Sequence, residues 1–356
     1  MPPIQKILFG SPGTGKSYQI REIAQQELGI EWNEQTQLEN IIQTVFHPEY
    51  TYADFVGKLL PQTDGKGSVT YKFYEGHFLR ALGLAYKKII EGSKENVLLV
   101  IDELNRGNAA AIFGSIFQLL DREDDYWSSY RVNLSELEIV SILRIMGYEV
   151  KIYDDNIQVN KCEFHTFLND LETKLNTDNP NGSRIIANLK AAKITIPYNL
   201  SIIATINTSD ESIYYLDSAF KRRWDWEYVD VPNSKSSEDI PEKVKEILVF
   251  TGETVYYWYD LVIKLNEFIK SKSDYIRKIE DKQIGWWFLK AKNNIIEESA
   301  IKNKLMFYLW DSVFAKDKRP LAELLGRDKL VTYADFANLS TDFINKLNPK
   351  EFDIPI

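Results

Sequence analysis

A chain of 356 residues, 44% hydrophobic and 27% charged, has material for two or three domains with buried cores and lacks the polar bias of a disordered protein. Its net charge of −9 repels nucleic acid, so DNA contact is expected to be local or made by a partner. The lone Cys162 excludes a disulfide framework and, with only His47, His77 and His165, a zinc site. No apolar run is long enough to span a bilayer and the start of the chain has no secretory pattern, which points to the cytoplasm.

Residues 4–9 read as a short buried strand, and residues 18–28 have helical spacing with Ile20, Ile23, Ala24 and Leu28 on one face. Between them Gly10-Ser11-Pro12-Gly13-Thr14-Gly15-Lys16-Ser17 fits the pattern G-x-x-x-x-G-K-[ST], in the strand, loop and helix setting that the pattern requires. The glycines let backbone N–H groups turn toward phosphate oxygens, and the helix N-terminus adds its positive dipole end. Lys16 is expected to reach the β- and γ-phosphates and the Ser17 hydroxyl to hold Mg²⁺, the only metal expected. The substrate class is a nucleoside triphosphate.

Residues 97–101 are an all-apolar run that ends in Asp102-Glu103, the way a central parallel strand delivers carboxylates to the ligand-binding edge of its sheet. Asp102 is expected in the Mg²⁺ shell and Glu103 beside the attacking water. Residues 124–192 are too long for a plain loop and read as a small α/β insertion. It has a helix over 135–146, a hairpin of 148–153 and 156–159 around Asp154-Asp155, and a helix over 163–175. With eleven acids against seven bases from 124 to 190, it suits a partner-binding or ring-pore element better than a DNA clamp. Glu149-Val150-Lys151 has the Glu-x-Lys form of metal-dependent nucleases. No Pro-Asp precedes it, and alternating charge on a half-buried strand explains it, so no nuclease activity is expected of this chain.

A third strand, 200–206, ends at Asn207, an amide placed to orient water against the γ-phosphate; Asp210 beyond it could equally cap the next element. In Lys221-Arg222-Arg223 the two arginines are candidates for a finger offered to a neighbouring subunit's transition state, and Lys221 for a solvated cation. After the polar run 231–237 the chain reads as helical to its end, over 240–250, 254–271, 300–314 and 333–347. The basic stretch 270–292, interleaved with Tyr275, Trp286 and Trp287, reads as a solvated face over an aromatic core. The fold class is therefore α/β: a phosphate-loop domain over 1–232, its parallel sheet flanked by helices and carrying the module 124–192, then a helical lid and C-terminal subdomain over 233–356.

Phosphate loop, Asp-Glu strand, Asn-tipped strand and trailing Arg pair, in this order, resemble an AAA+ ATPase module. Within that superfamily Phe46-His47-Pro48-Glu49-Tyr50-Thr51-Tyr52-Ala53-Asp54-Phe55-Val56-Gly57, Ile101-Asp102-Glu103-Leu104-Asn105-Arg106-Gly107-Asn108 and Ile206-Asn207-Thr208-Ser209-Asp210-Glu211-Ser212-Ile213 resemble the McrB family, the GTP-driven motor subunits of modification-dependent restriction systems. The likeness covers most of 4–232 outside the insertion and, more loosely, 280–326. It implies a homo-oligomeric, six-membered ring, nucleotide hydrolysis at shared interfaces, and an McrC-like nuclease partner that cuts DNA. It also implies that Gly10 to Ser17 bind nucleotide, that Asp102 and Glu103 serve Mg²⁺ and water, that Asn207 senses the γ-phosphate, and that Arg106 with Arg222 or Arg223 lies at the subunit interface. The 50–57 segment either serves the family's chemistry or packs as an aromatic stretch under the sheet edge. Only nine residues precede Gly10, where the family usually carries a DNA-reading domain, so target reading is expected from a partner or a missing domain and GTP or ATP both stay open. Trp286-Trp287-Phe288 stand where polar residues are expected after Ile284-Gly285. The other reading is an ATPase of the MoxR or dynein-related kind that remodels protein.

Overall fold

The computed structural model describes every residue except 1, 34–37, 64, 66, 154–155, 176–177, 209–213, 234–239, 253 and 353–356. The Asp154-Asp155 turn, Asp210 and most of the 231–237 run lie outside the described residues. Two compact units result: Met1–Leu8, Ser17–Ile206 and Ser212–Glu227 form one, and Phe9–Lys16, Asn207–Glu211 and Tyr228–Ile356 the other. The last break follows Glu227, and the phosphate loop clusters with the C-terminal unit. Among the described residues no helix is long and apolar enough to cross a membrane.

In chain order, β1 (Gln5–Gly10) and α1 (Lys16–Glu22) flank the phosphate loop. Then come β2 (Ile41–Val45), the one-turn α2 (Tyr52–Phe55), the hairpin β3 (Gly57–Thr63) and β4 (Val69–Glu75), α3 (His77–Ile90), β5 (Val97–Asp102) and α4 (Ala109–Phe113). The expected run 97–101 is strand and is buried along its length. It pairs in parallel with β2, from Ile41 opposite Leu98 to Val45 opposite Asp102. Burial on both faces is what selects a continuous apolar strand over an alternating one. α3 supplies one covering layer, turning Phe78, Leu79, Leu82, Ala85, Tyr86 and Ile89 inward.

The insertion comprises β6 (Val132–Asn133), α5 (Glu136–Ile145), the antiparallel β7 (Val150–Tyr153), β8 (Asn156–Val159) and β9 (Cys162–Glu163), then α6 (Phe164–Leu175), α7 (Pro180–Lys190) and β10 (Lys193–Ile194). A capping box at Ser135 and Glu138 starts α5. Sequence periodicity does not announce α7, because its surface is polar, yet Asn179 as N-cap and Pro180 at the first helical position are its start signal. β6 and β10 pair antiparallel, so the insertion leaves and rejoins the unit at one place. It leans on α3: Gly83 has no side chain where a Cβ would meet Ile145 at 2.8 Å, and the buried Tyr86 hydroxyl donates to the Thr195 carbonyl at 2.6 Å.

After it follow β11 (Leu200–Asn207), α8 (Ser218–Lys221) and β12 (Asp225–Tyr228). The main sheet has the order β12-β1-β11-β5-β2, with β11 parallel to β5 from Leu200 opposite Val97 to Ala204 opposite Ile101. Bonds from the Ile202 N–H to the Ile4 carbonyl and from the Thr208 N–H to the Gly10 carbonyl run β1 along β11 in the same direction. The asparagine-tipped strand thus lies between the loop-bearing and the acid-tipped ones.

The C-terminal unit departs from the all-helical expectation. Between α9 (Glu242–Lys245) and α10 (Trp258–Ser271) the chain forms β13 (Leu248–Thr251) and β14 (Thr254–Tyr257), and β13 also pairs in parallel with β15 (Ile295–Ile296). Leu248-Val249-Phe250-Thr251 and Thr254-Val255-Tyr256-Tyr257 are rich in β-branched and aromatic residues, and Gly252, at φ 56°, turns between them. The expected helix over 333–347 is likewise two helices, Tyr333–Ala337 and Ser340–Leu347. Trp258, Leu261, Leu265, Leu305, Leu309, Phe336 and Phe343 are fully buried in this unit's core.

Candidate nucleotide site

β1 delivers the chain into a loop, Ser11 to Gly15, which α1 follows at Lys16. Gly13 sits at φ 76°, where any other residue is strained, and a Cβ on it would reach the Phe288 nitrogen at 2.4 Å. Lys16 is buried, and its ammonium donates to the Gly10 and Ser11 carbonyls at 2.9 and 2.8 Å. That curl makes a cradle whose one buried cation is turned back over the loop. Ser17, one residue on, is exposed.

A segment of the C-terminal unit lies against this loop. The Gly285 N–H donates to the Pro12 carbonyl at 3.0 Å, the Trp287 N–H to the Gly13 carbonyl at 2.8 Å, and the Ser11 hydroxyl to the Glu280 carbonyl at 2.5 Å. Gly285 has to be glycine for this approach, since a Cβ would lie 2.1 Å from the Gly13 oxygen. Trp286-Trp287-Phe288, unexpected in sequence, therefore meet the loop through backbone, and the Trp287 ring also packs on Gly15, where a Cβ would meet it at 3.3 Å. What fixes the segment is Asn266 on α10. It is 1% exposed, its amide donates to the Ile284 and Pro232 carbonyls, and its oxygen accepts from the Ile284 N–H. Asn266 was not legible beforehand as a site residue; a lone amide on the apolar face of a helix was its signal.

At the end of β5, Asp102 is half-buried and Glu103 takes up the left-handed conformation, φ 57°, ψ 44°. For a residue with a side chain this costs on the order of 1 kcal/mol and occurs where function over-determines the backbone. Thr205 on β11, a second residue that sequence reasoning missed, joins the pair. Its hydroxyl donates to the Asp102 carboxylate at 3.0 Å and accepts from the Glu103 N–H at 3.2 Å. One threonine so orients both acids, and its signal is a hydroxyl inside an otherwise apolar strand, two residues before Asn207. Arg106 lies 3.5 Å from the Glu103 carboxylate and is half exposed. Asn207 ends β11, half-buried.

The structure separates the two finger candidates. Arg223 turns inward, 7% exposed, with its guanidinium on Asp121 at 2.6 Å, on the Ala219 carbonyl at 2.7 Å, and 3.9 Å over the Phe117 ring. Arg222 is exposed at the end of α8, which Asp217 caps and Phe220 anchors in the core. With Trp224 and Trp226 it lines a surface recess of about 550 Å³.

The aromatic stretch 46–56 packs under the sheet edge, with Phe46, Tyr50 and Phe55 buried and Phe46 stacked on Tyr50 at 4.8 Å. The Tyr50 hydroxyl accepts from Thr44 and meets His77 Nδ1 at 2.9 Å, and burial pushes its pKa up to about 12, so it stays protonated.

Residues 5–136 match the family model described as AAA domain (dynein-related subfamily). Over 334 residues, 88% of this chain and 80% of the relative, the sequence is 28% identical to a Bacillus subtilis (strain 168) protein named Type II restriction enzyme BsuMI component YdiS. Over 127 residues it is 29% identical to the Type IV methyl-directed restriction enzyme EcoKMcrB subunit of Escherichia coli (strain K12). That match takes in 34% of this chain and 24% of the relative, so the chain spans about a quarter of that protein's length. Sheet order, phosphate loop and acid pair give the chain the α/β phosphate-loop fold of the AAA+ type, and in sequence it resembles McrB-like AAA+ nucleoside triphosphatases.

Proposed function

We propose that the chain is the motor subunit of a restriction system, hydrolysing GTP or ATP in a homo-oligomeric, hexameric ring of the kind the family likeness implies, and driving an McrC-like nuclease that supplies the DNA cut. The observation that carries the reading is the Thr205-held acid pair at the end of β5, in the same parallel sheet as the strand that feeds the phosphate loop. The two restriction-enzyme relatives favour this role. The family model's dynein-related description favours the alternative, a MoxR-like or dynein-related ATPase that remodels protein.

Gly10 to Gly15 bind the phosphates through backbone N–H groups, and Lys16 swings from its own carbonyls to the β- and γ-phosphates. A magnesium ion fits the residues present. Among the described residues no three acids, histidines or cysteines gather into a metal cage, and Mg²⁺ needs only Ser17, the oriented Asp102 and phosphate oxygens. When bound it neutralises charge that builds on the phosphates. Glu103 orients the attacking water, Asn207 contacts the γ-phosphate, and Arg222 of one subunit reaches the nucleotide of the next. Arg106 holds Glu103 until a neighbouring subunit engages it. Support for a contact between copies comes from exposed Trp226 beside Arg222 in the recess and exposed Tyr215 under the neighbouring Lys221, aromatic residues of the kind interfaces favour.

Phosphate release with GTP and with ATP tests the reading. Turnover of at least one nucleotide is expected, falling at least about a hundredfold in Lys16→Ala. A GTP preference sides with the restriction motor, while turnover of ATP alone brings the remodelling alternative level with it. Equal release by wild type and Lys16→Ala sinks both.

A further inference from the structure

The C-terminal unit holds a second cavity, of about 300 Å³, which no step above uses. Thr208 at the end of β11 lines it together with Arg277, Lys278, Asp281, Lys282 and Lys316. Four cations face one carboxylate, so the lining carries a surplus of three positive charges in a chain whose net charge is −9. Among the described residues none of the four forms an ion pair, although the neighbouring Lys272 and Arg319 do, with Glu323 and Asp317. The backbone holds Lys278 in the left-handed conformation, φ 52°, immediately before the short turn Ile279–Asp281. Such a concentration of like charge around a concave space repels itself until an anion occupies it.

We propose that this cavity is a phosphate-binding site distinct from the phosphate loop. Its ligand chemistry is the tetrahedral phosphate oxyanion, either free phosphate or the phosphodiester of a nucleic acid. Position favours free phosphate. Thr208 follows Asn207 directly, and its N–H is bonded to the carbonyl of Gly10, the first residue of the nucleotide loop, at 3.2 Å. A phosphate cleaved beside Asn207 therefore has a positively charged place to go one residue away. The choice of source rests on the proposed role of Asn207; the binding itself does not.

Inorganic phosphate titrated into the purified chain, followed by ³¹P line broadening, tests the site. The comparison proteins are Lys16→Ala, the double variant Lys278→Gln/Lys282→Gln, and Lys316→Gln on the other wall. Lys16→Ala should remove only the nucleotide loop's own share of the binding and keep the cavity's, whose affinity falls about tenfold for each lysine removed from the cavity. Loss on Lys16→Ala with retention in the cavity variants would put the anion in the nucleotide loop and overturn the proposal, as would no binding at all. A single-stranded oligonucleotide carried through the same series distinguishes the sources: if it alone responds to the cavity lysines, the site stands with a phosphodiester as ligand. Phosphate binding without nucleotide turnover sinks the motor reading only, and turnover with no anion at these lysines sinks this site only.

Discussion

Arg222 and Arg223 are adjacent letters with opposite fates, and the difference is made far away in the chain. Asp121 and Phe117 take the Arg223 guanidinium, and the Gln5 amide holds its carbonyl at 2.5 Å. Arg223 so fixes the end of α8, and Arg222 is left at the surface. Arg222→Ala is expected to lower turnover about a thousandfold or more with folding intact. Arg223→Ala should act first on stability. Its loss strands Asp121, but that carboxylate is 29% exposed and water can replace part of the contact, so the cost should be about 2 kcal/mol rather than the larger cost of breaking a fully buried pair. Thermal unfolding and phosphate release on both variants check this; an unchanged melting temperature for Arg223→Ala would return it to the list of fingers. No spacing in the sequence could have told the two apart, since both fit the pattern and the deciding partners lie some hundred residues upstream.

Elements whose identity is set by their own residues were legible, and those set by partners were not. The phosphate loop, the apolar strand before Asp102 and the capped helix α5 each carry a local signal, and each is where it was expected. Residues 248–257 carry a strand signal too, but the neighbouring helical periodicity masks it, and pairing with β15 some forty residues later makes it a sheet. The lid segment at Gly285 is a further case. Its hydrogen bonds to the loop are made through backbone, invisible to side-chain pattern, and the buried Asn266 amide helps hold it in place. Asn266→Ala should leave the Ile284 N–H and carbonyl without partners and destabilise the C-terminal unit by about 1–3 kcal/mol. If the segment also supports the loop, nucleotide affinity should drop by a larger factor than in a surface variant of equal stability. Equilibrium urea unfolding with and without nucleotide separates the two effects, and a stability loss with unchanged affinity would make the contact purely structural.

A chain that leaves Arg222 exposed at the end of α8 cannot complete hydrolysis alone under the proposed mechanism, because the arginine serves a neighbour's nucleotide. Exposed Trp226 beside Arg222, with exposed Tyr215 against the adjacent Lys221, gives that neighbour an apolar footing, and heterologous contact of this kind closes into a ring when its rotation permits. The consequence is complementation in trans. Glu103→Gln and Arg222→Ala should each be close to inactive alone. Mixed in equal amounts and allowed to exchange, they form junctions that draw Glu103 from one variant and Arg222 from the other, and about a quarter of all junctions then carry both intact groups. Turnover should rise from near zero toward that fraction of the wild-type rate, and should rise with protein concentration as assembly fills. A mixture no faster than the average of its two components, at concentrations where light scattering shows the oligomer, would place Arg222 in the same active site as its own Glu103 and remove the ring from the mechanism.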